Sequence, residues 1–78
     1  MVNILMPEMG SGVEEGTIVK WFKSAGEKVV KGEPIVEIMV EKVSTELESP
    51  IDGILEEIFY PENATAAVGA GLASFRED

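Results

Sequence analysis

The chain has 78 residues with no cysteine and no histidine, and its 15 acidic against 6 basic residues give a formal net charge of −9. That length allows one domain with a small core, and the missing residue types exclude a disulfide framework, a thiolate metal site and any serine–histidine arrangement. The acidic balance is unsuited to nucleic acid or an anionic membrane, which are bound through basic patches, and no apolar run is long enough to span a bilayer.

Short runs rich in Val, Ile, Phe and Trp alternate with Gly, Pro and Asn along the chain. This punctuation predicts an all-β fold, a small sandwich or barrel. Strands are expected over 2–6, 17–23, 34–40, 43–48, 53–59 and 72–75, with short pieces near 12–14, 28–30 and 65–68. A helix over "EEGTIVKWFKSAGE" is disfavoured by its β-branched residues and by its glycines. In the strand after Gly16, apolar residues fall at the second, fifth and sixth positions, and the same holds after Gly53. Strict alternation does not give that spacing, but a bulge in each strand does. Trp21 is expected in the core.

The stretch "IMVEKVSTELESP", residues 38–50, reads as a hairpin. Pairing Val40 with Val43, Ile38 with Thr45 and Val36 with Leu47 makes one apolar face. Glu37, Met39, Ser44, Glu46 and Glu48 then make a solvated face. A slip of one residue would bury the carboxylates, so the register is well specified. It leaves Glu41 and Lys42 at the tip. Four of the other basic residues, Lys20, Lys23, Lys28 and Lys31, cluster earlier in the chain, whereas the charges nearest Lys42 are Glu37, Glu41, Glu46 and Glu48. A nucleophilic lysine wants a buried site with the opposite surroundings. An exposed tip amine suits modification by another enzyme, although most turn lysines only solubilise a surface.

Residues 53–75, "GILEEIFYPENATAAVGAGLASF", lie without a gap over residues 16–38 at a shift of 37. Gly16 meets Gly53, Phe22 meets Phe59, and Gly32 meets Gly69. Ile18, Ile35 and Ile38 meet Leu55, Leu72 and Phe75. Gly26 meets Asn63, the residue after glycine most willing to take positive φ. Two like halves with matching turns imply a quasi-symmetric sheet structure. The carboxylate pairs Glu14–Glu15 and Glu56–Glu57 are poor acid–base dyads, because neighbours on a strand point to opposite faces. No run has the spacing of a calcium-binding loop.

The hairpin, the repeat and the glycine spacing together resemble a lipoyl domain of the biotinyl/lipoyl attachment family. Such domains belong to acyltransferase components of 2-oxo acid dehydrogenase and acetoin dehydrogenase complexes. "MPEMGSGVEEGTIVKWFKSAGEKVVKGEPIVEI" is similar to the family's first half, and "EKVSTELESPIDG" to its modification site. Glu41 stands where Asp is usual, Met39 where many members have Glu, and Asn63 where Gly is usual. The resemblance implies a single domain over 1–78, with half-repeats at about 16–38 and 53–75 and the hairpin at 36–47. It implies a flattened barrel of two four-stranded antiparallel sheets with quasi-twofold symmetry.

By the same resemblance Lys42 carries lipoic acid in amide linkage, and Glu41, Val40, Val43 and Gly53 support the hairpin. Residues 9–15 lie beside it, with Glu14 and Glu15 recognising a partner. The implied partners are a 2-oxo acid decarboxylase that acylates the arm, an acyltransferase catalytic domain, dihydrolipoamide dehydrogenase and a lipoate ligase. The domain itself is then a non-catalytic carrier, monomeric in isolation. A cytoplasmic location, or the mitochondrial matrix in a eukaryote, is expected. The chain ends read as the edges of a domain cut from a longer protein. The alternative is a biotinyl carrier domain of a carboxylase, whose usual site has methionine on both sides of the lysine; here Glu41 and Val43 flank it.

Overall fold

The computed structural model describes residues 2–8 and 12–77. Every regular element among them is a strand: β1 (Val2–Leu5), β2 (Glu15–Trp21), β3 (Lys28–Val29), β4 (Pro34–Val40), β5 (Val43–Glu48), β6 (Gly53–Ile58), β7 (Thr65–Ala67) and β8 (Gly71–Glu77). They form two four-stranded antiparallel sheets, ordered β1-β8-β6-β3 and β5-β4-β2-β7. This is the fold class expected from the sequence.

The two sheets are built alike, and their backbone hydrogen bonds exchange partners across a pseudo-twofold. Gly26 N–H donates to the Leu55 carbonyl, and Asn63 N–H, 37 positions on, donates to that of Ile18. Leu55 N–H donates to Glu27 while Ile18 N–H donates to Ala64. The turns match because Gly26 (φ 94°) and Asn63 (φ 73°) both adopt the left-handed region, which glycine and asparagine tolerate best. The bulges recur as well. Register shifts between Ile18 and Lys20 against β4, and between Leu55 and Glu57 against β8.

The core lies between the sheets. Its symmetry-related pairs are Ile18 with Leu55, Ile35 with Leu72, and Ile38 with Phe75, all fully buried. Burying each side chain contributes about 1.5–3 kcal/mol. Trp21 packs against this core half-buried, and its Nε1–H donates to the Tyr60 carbonyl at 2.9 Å.

Two expectations need correction. No strand forms at 12–14: these residues are a turn and loop, and the Glu14 carbonyl accepts the Val68 N–H without a continuing ladder. β8 continues to Glu77, beyond the expected end at 75, because Gly53 and Ile54 supply partners for Glu77 and Arg76.

One connection differs in length between the halves. Met6 N–H donates to Ala70 as Ser49 N–H donates to Glu33. Met6 and Ser49 are 43 positions apart, whereas everything after this point is offset by 37. The connection from β1 to β2 is therefore longer than that from β5 to β6 by 43 − 37 = 6 residues.

Topology also separates the ends of the molecule, which measures 37 × 19 × 18 Å. The β4–β5 tip adjoins the start of β2. The start of β6, the finish of β8 and the start of β1 lie together at the opposite end, where Lys31 and Gly32 bond to Asp52 and Ser49.

Candidate functional site

The hairpin has the register expected from its apolar pattern: Val40 opposite Val43, Ile38 opposite Thr45 and Val36 opposite Leu47. Val36, Ile38 and Val40 are buried, and Thr45 and Leu47 half-buried. That anchored face fixes which two residues make the turn, Glu41 and Lys42. Glu41 takes a φ of 56°. Positive φ at the first turn position suits the twist of a two-residue hairpin, but it costs a residue with a Cβ about 1–2 kcal/mol. Lys42 is exposed, and no described side chain pairs with its amine.

The two valines beside the turn differ. Val40 is only 4% exposed and lies against Gly16. Val43, expected on the same apolar face, is 60% exposed, because β5 is an edge strand with no neighbour beyond it. Gly53, grouped with the hairpin by the resemblance, starts β6 in the other sheet. A Cβ there would overlap the Arg76 backbone carbonyl, so its constraint comes from β8.

On the outer face Lys20, Glu37 and Glu46 form a row across β2, β4 and β5. Lys23 pairs with Glu33 at 3.6 Å and reaches Glu27 at 4.0 Å, far from the tip. Glu56 and Glu57, expected on opposite faces, are both exposed because the β6 bulge falls on them.

Beside Lys42 an open concavity of about 460 Å³ lies between the loop and the hairpin. Glu14 and Glu15 form one wall, Glu41 the other, with Met39, Thr17 and Thr65 between them. The expected nearness of the loop to the lysine therefore holds for residues 12–15; residues 9–11 lie outside the described part. Thr65 arrives on β7, paired with Thr17, and no local sequence signal ties it to the hairpin. Met39 carried a signal, an exposed apolar residue on a face otherwise polar. Carboxylates and an isolated amine can present a modified side chain, but they offer no acid–base pair. Among the described residues no group of three or more acids could hold a metal ion.

Residues 2–75 match the family model described as biotin-requiring enzyme. The chain is 47% identical over 70 residues to the dihydrolipoyllysine-residue acetyltransferase component of the pyruvate dehydrogenase complex of Mycobacterium bovis, covering 90% of the chain and 13% of that protein. It is 40% identical over 73 residues to the succinyltransferase component of the 2-oxoglutarate dehydrogenase complex of Staphylococcus saprophyticus, covering 94% of the chain and 17% of that protein. Among solved structures, the lipoyl domain of the 2-oxoglutarate dehydrogenase complex from Azotobacter vinelandii superposes with a TM-score of 0.84 at 32% identity, covering 99% of this chain and 98% of that one. A single-chain, multi-domain long-chain acyl-CoA carboxylase shares the fold over 91% of the chain and 8% of its own, with a TM-score of 0.76 at 18% identity.

Proposed function

The chain belongs to the biotinyl/lipoyl attachment family as a lipoyl domain, and from that premise we propose that Lys42 bears lipoic acid in amide linkage and serves as the arm of an acyl carrier. The observation that carries this reading is Lys42 itself, an exposed amine with no ion-pair partner among the described residues, on a two-residue turn whose register is locked by a buried face. As a lipoyl domain the chain is a carrier and not itself a catalyst. The residues fit the group: an open turn admits a ligase, and no cysteine is present to compete in disulfide exchange.

When bound, lipoamide supplies a cyclic disulfide that can take up an acyl group reductively and release it to a thiol. The chain's own residues do the rest. Val36, Ile38 and Val40 hold the hairpin rigid, and Glu41 sets the turn. Val2 and Glu77, the first and last described residues, lie at the opposite end of the molecule, so a tether there would leave the tip clear to enter active sites. In a longer acyltransferase such a tether raises the local concentration of the arm. The partners of this reading are a 2-oxo acid decarboxylase, an acyltransferase catalytic domain and dihydrolipoamide dehydrogenase.

Intact mass after incubation with a lipoate ligase and lipoic acid tests the reading. One lipoyl adduct is expected, lost in Lys42→Gln. A bare protein, or a biotin adduct formed instead with a biotin ligase, would overturn it.

A further inference from the structure

We propose that Gly16 is a positioning residue for acylation of the arm: by letting Met6 and Val40 pack on one spot, it ties the loop after β1 to the base of the Glu41–Lys42 turn. The proposal deepens the carrier reading above and rests on it. A Cβ on Gly16 would lie 3.0 Å from Val40 Cγ2 and 3.1 Å from Met6 Sδ. Both side chains are buried, so they fill the space that a larger residue 16 would take. Met6 opens the connection from β1 to β2, and Gly16 is the second residue of β2, where that connection ends. Val40 is the last residue of β4, directly before Glu41. Both ends of the longer loop thus meet the foot of the hairpin at one point.

The other half of the molecule lacks this lodging. The counterparts of Gly16, Met6 and Val40 there are Gly53, Ser49 and Glu77, and Glu77 is exposed. Gly53 answers to the backbone carbonyl of Arg76, whereas the atoms nearest Gly16 belong to side chains. The loop's backbone bonds run away from the hairpin. Met6 N–H donates to Ala70, Gly69 N–H to Met6, and Val68 N–H to Glu14. These bonds fix the loop to the turn between β7 and β8, and the packing over Gly16 sets its distance from the tip. A close-packed interior transmits displacement instead of absorbing it. At such separations an added methyl pushes Met6 and Val40 by a few tenths of an ångström. A partner that reads residues 12–15 together with the arm then meets them at the wrong spacing, and a misplacement of about 1 Å can cost about 10²-fold in rate.

The test uses the lipoylated chain, its adduct first verified by intact mass, with a 2-oxo acid decarboxylase as the acylating enzyme and at a temperature well below unfolding. Gly16→Ala should lower kcat/KM for reductive acylation about fivefold, mainly through KM, since a shift of tenths of an ångström is smaller than the 1 Å case. Adding Val40→Ala clears atoms that the new methyl meets and should restore most of the rate. Leu55→Val, a core change in the other sheet, should leave the rate unchanged. In the unmodified chain, Met6→Leu should move the amide signals of Glu41 and Lys42, which lie far from it in sequence. An unchanged rate in Gly16→Ala, equal slowing by Leu55→Val, or unmoved signals at Glu41 and Lys42 overturns the proposal. Absence of an adduct overturns the carrier reading instead, and the amide signals still decide whether loop and tip are joined.

Discussion

Glu41 holds a positive φ of 56° without being glycine, and it does so beside the residue that the carrier reading modifies. Glu41→Gly removes the Cβ penalty but loosens the unfolded chain, so stability should rise by about 0.5–1 kcal/mol. Urea unfolding reads this directly, and an unchanged midpoint would show the turn to be unstrained. Gly53 presents the opposite case. Its missing Cβ leaves room for the Arg76 carbonyl, and that neighbour is backbone in a paired strand. Gly53→Ala should cost at least about 2 kcal/mol, at the upper end of single-substitution effects. A loss below 1 kcal/mol in the same measurement would mean that β8 can yield.

At the scale of the element, the hairpin is an apolar face that ends just before its tip. Val40 and Val43 share that face, but only Val40 is covered. Val40→Thr should cost about 1–3 kcal/mol, for a hydroxyl buried without a partner. Val43→Thr should stay within about 0.5 kcal/mol of the parent, as exposed substitutions do. Thermal unfolding of the two variants checks this, and equal losses would put Val43 in the core. The apolar pattern specified the register because a slip would exchange Val36, Ile38 and Val40 for Glu37 and Met39. It grouped Val43 with the apolar face without showing that Val43 is uncovered, because exposure at an edge depends on which strands lie beyond it.

At the scale of the whole molecule, charge is unevenly placed. Lys23 and Lys31 lie near the end where β1 starts and β8 finishes, and Lys23 is already engaged by two carboxylates. At the other end Glu14, Glu15 and Glu41 border one concavity beside Lys42. Lipoylation would take the formal charge from −9 to one unit lower and strip the tip of its amine. A basic mouth on the acylating partner would then meet a uniformly acidic surface, which speeds encounter and weakens with salt. Glu14→Lys with Glu15→Lys should lower kcat/KM for reductive acylation by about tenfold, with a weaker salt dependence. Lys31→Glu at the far end should leave it unchanged. Equal effects from both ends would point to net charge alone, without a localised contact.

The sequence by itself determined where most strands lie, the likeness of the two halves, the hairpin register, the paired bulges and the identity of the tip residues. Each follows from periodicity or from a turn residue with a special backbone demand, and both are local properties written into consecutive side chains. Only the tertiary structure decided that Gly53 answers to β8, that Val43 is uncovered, and that Thr65 joins the loop and Met39 around one hollow. Those outcomes depend on which distant strand lies next to which. No window of sequence contains that information, because the contacts form between residues tens of positions apart.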